Sequence, residues 1–220
     1  PPTGGPKPPT GEPTDPVDPP DPPAEPTQKI KIKLADGKER TIQHISATSF
    51  WGPDGKPISA AQFIADLFGV LPALFKDEEE LSRPDTRKAL LDGLTERGFG
   101  GEQLNAIRQA IDAEHSDVFD VLAYIAFALK PLTRAERVAE RKPAILPFYS
   151  EKLQAFIDFV LQQYVAQGYE ELDTSKLSDL LTLKYQTTHD AAAELGGTTL
   201  IRETFIDFQK HLYEGTPSAV

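Results

Sequence analysis

Apolar and polar residues alternate strictly in Lys29-Ile-Lys-Ile-Lys-Leu34, whereas from residue 59 onward apolar positions recur at intervals of three and four. The first pattern predicts a half-buried strand with its lysines outward, the second a series of amphipathic helices. Asp36-Gly37 supplies a turn, and residues 40–45 can return as a second strand, so a hairpin over 29–46 opens the domain. Ser59 with Gln62 three residues on is a capping-box pattern, and Ile64, Leu67 and Phe68 form a stripe expected to stop at Gly69. Helices are predicted over 86–97, 102–113, 116–129 and 133–141, the last capped by Thr133 and Glu136 and closed before Pro143. From Ser150, the positions Leu153, Phe156, Ile157, Val160, Leu161, Tyr164 and Val165 fall on one continuous face that Gly168 ends. Asp173 or Thr174 can cap a following helix, and two more are expected over 189–195 and 198–213. Residues 116–129 are apolar nearly all round, which places that helix at the centre of the core. The predicted fold is mainly α: a multi-helix, bundle-like domain with a small N-terminal β-hairpin and a disordered Pro-rich leader.

Composition sets the boundaries. The first 27 residues hold 12 of the 20 prolines and little that could fill a core, so they read as an extended interdomain tether. The helical domain spans 28–215, with helices from 59 onward, and 216–220 form a tail. There is no Cys, which rules out disulfides and thiol chemistry and fits a reducing cytoplasm. There is no Met either, and a chain beginning Pro-Pro is expected to be a piece of something longer. The apolar run from Val118 to Leu129 is too short to span a bilayer and is interrupted by Asp120, so no membrane partner is expected. A formal net charge of −11, of which −4 lies in the leader, argues against whole-surface affinity for DNA and leaves local basic patches open.

Candidate chemistry is sparse. Gly98-Phe-Gly-Gly101 precedes a helix, yet no Lys-Ser or Lys-Thr follows and Glu102 would face the phosphate, so a helix stop and restart fits better. Pro53-Asp54 or Pro84-Asp85 with Glu140-Arg-Lys142 imitates a nuclease acid set, but in turn and helix contexts where a strand is required. His44, His115, His189 and His211 share no metal-ligand spacing. No catalytic, cofactor or metal residue is assigned. Partner contact has more candidates. Arg134, Arg137, Arg141 and Lys142 alternate with Glu136 and Glu140, giving either a solvated helix laced with i,i+4 ion pairs or a phosphate-contacting face. Trp51 either closes one end of the core or anchors an interface. Lys184 and Tyr185 either cap a helix end or make a contact.

Certain segments, in order, resemble a known family. They are Asp36-Gly-Lys-Glu-Arg-Thr-Ile42, Ser49-Phe-Trp-Gly-Pro-Asp-Gly-Lys-Pro-Ile58, Leu71-Pro-Ala-Leu-Phe75, Phe119-Asp-Val-Leu-Ala-Tyr-Ile-Ala-Phe127, Pro131-Leu-Thr-Arg-Ala-Glu-Arg137, and Leu177-Ser-Asp-Leu-Leu-Thr-Leu-Lys-Tyr185 with Asp190-Ala-Ala-Ala-Glu-Leu-Gly196. Ile201-Arg-Glu-Thr-Phe205 and Phe208-Gln-Lys-His-Leu-Tyr213 complete the set. From about Lys29 to Tyr213 the chain resembles the C-terminal domain of the EcoEI-like R subunit of type I restriction enzymes. The resemblance implies a parent that is an ATP- and Mg²⁺-dependent DNA translocase and endonuclease, with its motor and nuclease N-terminal to this chain. It further implies partnership with modification (methyltransferase) and specificity subunits, and with DNA through the parent complex. On that basis the chain is expected to be a non-enzymatic docking module; a DNA-guiding surface and a stand-alone helical adaptor are the alternatives.

Overall fold

The computed structural model describes residues 29–43, 50–52, 55–83 and 86–213. The Pro-rich leader, the tail, His44, Ile45, Pro53-Asp54 and Pro84-Asp85 lie outside the described residues. Strand β1 (Lys29–Lys33) pairs antiparallel with β2 (Glu39–Gln43), Lys31 opposite Thr41 and Lys33 opposite Glu39. Gly37, with φ +78°, makes the turn, and Asp36 Oδ1 accepts from the Lys38 N–H at 2.9 Å. Since successive side chains alternate, the lysines stand in solvent while Ile42 and Arg40 point into the core. Arg40 is fully buried. Its Nε donates to the carbonyls of Tyr124 at 2.7 Å and Ile125 at 3.1 Å, and its Nη2 donates to Ile125 at 2.7 Å and to Asp36 Oδ2 at 2.8 Å. The hairpin is thus clamped to carbonyls that end a helix, where a cation is favoured.

A second ladder, β3 (Phe50–Trp51) with β4 (Pro57–Ile58), leads into α1 (Ala60–Val70). Phe50 is buried against Phe63 at 4.8 Å between ring centroids, and Phe63 meets Phe99 edge-on at 5.2 Å. A short α2 (Glu78–Ser82), α3 (Arg87–Glu96), α4 (Gly101–Ala110) and α5 (Val118–Phe127) follow. These elements share one apolar core, and α5 lies within it as expected, with Val118, Phe119, Val121, Leu122 and Ile125 buried. Gly98, at φ +89°, stops α3 and Gly100 restarts the chain as α4, its N–H donating to the Gln103 side chain at 3.1 Å.

The second core is built on α7 (Glu151–Gln167), whose predicted stripe is buried from Leu153 to Tyr164. Around it stand α6 (Arg134–Ile145), α8 (Leu177–Tyr185), α9 (Thr188–Leu195) and α10 (Thr198–Tyr213). Gly168, at φ +125°, ends α7, and Tyr169 beyond it packs against both cores.

Two helices run past the residues expected to end them. Helix α1 passes through Gly69 into a turn at Leu71–Ala73, because buried Leu71 rewards the continuation more than one exposed glycine costs. Helix α6 continues through Pro143 to Ile145. Pro143 sits exposed in the last turn, where its missing N–H costs the helix one bond to the i−4 carbonyl, and buried Ile145 holds the extension. The capping box of α1 is half formed: Ser59 accepts from the Gln62 N–H at 3.1 Å, while the Gln62 side chain turns to Asp66 at 2.7 Å. That of α6 is complete, through Thr133 and Glu136.

Candidate functional site

Where the two cores meet, the side chains are charged. Asp117 and Asp120 come from the start of α5, Arg134 and Arg137 from α6, Tyr164 from α7 and Tyr213 from the end of α10, and all are buried. Asp117 Oδ2 accepts from Tyr164 Oη at 2.5 Å and from Tyr213 Oη at 2.6 Å. Arg137 pairs with Asp120 and lies over the Tyr213 ring at 4.5 Å; Arg87 of α3 covers the same ring at 3.6 Å and Phe119 at 4.9 Å. Arg134 donates to the carbonyls of Ser116 and Val165, both at 3.2 Å, and stands 3.9 Å from Asp117 Oδ1. A small cleft bordered by Glu78, Leu81, Phe119, Asp120, Arg137 and Tyr213 opens beside the network.

The electrostatics fit a joint between elements. Burial pushes the Tyr164 and Tyr213 phenols well above their ordinary value, so both remain donors to Asp117. Burial also raises the Asp120 carboxyl, against the pull of Arg137. At Arg137 burial is the largest single effect and acts to lower the value, but Asp120 together with Tyr213, Tyr164 and Asp117 outweighs it and holds the guanidinium above its ordinary range. Arginine stays protonated, so the contact favours an ionised Asp120. Each of these side chains has a partner within the network, although Asp117 Oδ1 and the Nε of Arg87 and of Arg137 are buried without a hydrogen bond among the described residues.

This corrects the reading of the α6 basic segment as a solvated or phosphate-contacting face. Arg134 and Arg137 face inward because α6 presents them to α5 and α10, and neither belongs to a free surface. Arg141 is half-buried on the same helix, and Lys142 pairs with Asp158. Lys184 and Tyr185 are also half-buried, with the Lys184 ammonium 5.2 Å from the Phe159 ring and 5.5 Å from that of Tyr185. Trp51 behaves otherwise. Strand alternation buries Phe50 and leaves Trp51 52 % exposed, with its carbonyl accepting from Gln103 Nε2 at 3.3 Å.

Two exposed apolar residues escape sequence reasoning. Phe148 is 79 % exposed, its ring stacked on His211 at 6.3 Å, and Tyr149 beside it donates to Asp207 at 2.8 Å. Leu183 is 67 % exposed on α8. Its signal was legible, since it falls off the face that buries Leu180 and Leu181. Phe148 follows Pro147 in a turn, where periodicity says nothing.

Among the described residues no group of three or more His, Cys, Asp or Glu side chains could hold a metal ion, and no helix is long and apolar enough to cross a membrane. The Gly98–Gly101 segment runs into α4 with Glu102 in its first turn, which does not fit a phosphate ligand.

Sequence comparison places these elements in a family. The chain is 32 % identical over 97 residues to the type I restriction enzyme EcoAI endonuclease subunit of Escherichia coli, a match covering 44 % of this chain and 12 % of that protein. No solved structure matches. The model of the family described as EcoEI R protein C-terminal matches residues 61–213, from α1 to the end of α10, and leaves β1 to β4 outside the match. The chain therefore belongs to the EcoEI R protein C-terminal family.

Proposed function

We propose that this chain is a docking module that joins a type I restriction endonuclease subunit to its modification and specificity partners. In this reading the parent protein is a cytoplasmic, ATP- and Mg²⁺-dependent DNA translocase and nuclease. Its motor and nuclease chemistry reside in parts of the parent outside this chain. The observation that carries the reading is the presentation of Trp51 and Phe148, two large aromatic side chains held in solvent by packed elements, on a protein whose charged groups at the seam are spent internally. Exposed aromatics of this kind supply anchors at protein interfaces. The alternative of a DNA-guiding surface on α6 loses Arg134 and Arg137 to the interior.

The test is a pull-down of the 220-residue chain by a matched modification and specificity complex. Retention is expected, with Trp51→Ala and Phe148→Ala weakening it by about tenfold or more each if they are anchors. Both sites are exposed, so melting temperatures should stay within about 2 °C of wild type. Retention that neither substitution alters would remove the aromatic anchors, and no retention at all would remove docking.

A further inference from the structure

The outward face of the β1–β2 ribbon is positively charged on an acidic protein. Residues 29–43 hold five of the chain's 23 Lys and Arg but two of its 34 Asp and Glu, so the ribbon is net +3 and the rest of the chain net −14. Strand alternation sorts these charges. Lys29, Lys31 and Lys33 share one exposed face with Thr41 and Glu39, the cross-strand partners of Lys31 and Lys33, while Ile32, Arg40 and Ile42 take the other. The register is fixed, because Arg40 is clamped to the end of α5 and Tyr124 Oη accepts from the Thr41 N–H at 2.5 Å. A slip by one residue would bury lysines.

We propose that this lysine face binds the phosphate backbone of duplex nucleic acid. Three features favour that partner over an acidic protein. The face carries no apolar side chain, whereas a protein interface needs an apolar centre. Phosphate contact needs cationic donors, and lysines provide them as point charges on flexible stems. A two-stranded ribbon also has the width that a major groove admits. Glu39 tempers the site. It pairs with Lys31 at 3.0 Å across the ribbon, with both side chains more than half exposed, and so competes with phosphate for one of the three cations. The inference is independent of the docking reading, since it involves a different surface and a different class of partner.

The experiment titrates the 220-residue chain into a fluorescein-labelled duplex of about 20 base pairs at several salt concentrations. Binding is expected at low salt, with log K falling against log salt at a slope of about −2 to −3 for two or three neutralised phosphates. The triple variant Lys29→Gln, Lys31→Gln, Lys33→Gln should abolish that slope without moving the melting temperature. Glu39→Gln should tighten binding a few-fold by releasing Lys31, a gain that unfolding cannot mimic. Polyglutamate serves as the competing probe. The proposal is overturned by equal binding of wild type and the triple variant, by no binding at low salt, or by polyglutamate binding as tightly as the duplex with the same lysine dependence.

Discussion

Individual side chains define this molecule most sharply at the buried pair between Asp120 and Arg137, whose side chains are 9 % and 8 % exposed. A buried pair contributes little net stability, but removing one member strands the other charge in a medium that cannot solvate it. Asp120→Ala should therefore cost about 3–5 kcal/mol in urea unfolding. The double change Asp120→Leu with Arg137→Met should recover most of that loss, because neither charge then remains. A single substitution no worse than the double one would show that the pair is solvated in a way the geometry does not indicate. Tyr213→Phe tests the neighbouring contact: losing the donor to Asp117 should cost about 1.5–3 kcal/mol, as for other hydrogen bonds to a charged group.

Helix caps and turns, a scale higher, make acid sensitivity predictable. The Glu136 carboxyl is held below its ordinary value chiefly by the Thr133 N–H, Asp173 by the Ser175 N–H and Asp36 by Arg40. A carboxyl depressed in the fold binds protons less readily than in the unfolded chain. Its contribution is therefore present above the unfolded value and is lost as pH falls towards the folded one. Melting temperature should drop between about pH 5 and about pH 3, and Glu136→Gln should flatten part of that slope while leaving stability lower at neutral pH. An unchanged slope in the variant would mean that the α6 cap is not linked to folding. The end of α7 offers a second check. Gly168 has a φ of +125° and an added Cβ would stand 2.5 Å from Glu170 Oε2, so Gly168→Ala should destabilise by about 1–3 kcal/mol.

For the whole molecule, the question is whether two apolar cores behave as one unit. Asp117, Tyr164, Tyr213 and the Arg87 and Arg137 guanidinium groups bridge them, and Tyr169 packs on both. Trp51 is the chain's single tryptophan and belongs to the first half, so its fluorescence reports that half while far-ultraviolet dichroism reports all helices. The two melting curves should coincide in the wild-type chain. Tyr213→Ala removes the bridge and its ring between the two arginines, and should separate the curves by several degrees. Coincident curves in that variant would place the coupling elsewhere, with Tyr169 the first residue to examine.

Much of this was written in the local sequence. The alternation at 29–34, the stripe from Leu153 to Tyr164, the Thr133–Glu136 box and the glycines at 98 and 168 fixed their elements, because each depends on periods and caps that neighbouring residues set. The fold class followed from the same signals, and the family was legible from the order of segments that the comparison covers over 61–213. Tertiary structure decided which charged residues face inward. Arg134 and Arg137 carry the pattern of a solvated helix, and only their placement against Asp120, the Val165 carbonyl and the Tyr213 ring turns them into interior groups. Arg40 is likewise indistinguishable from a surface cation until α5 brings its terminal carbonyls to the hairpin. The physical reason is common to all three. Apolar burial is announced by periodicity, but burying these charges requires, beside a local partner such as Asp36 for Arg40, groups 17 to 85 residues away, and no local pattern encodes where those groups will stand.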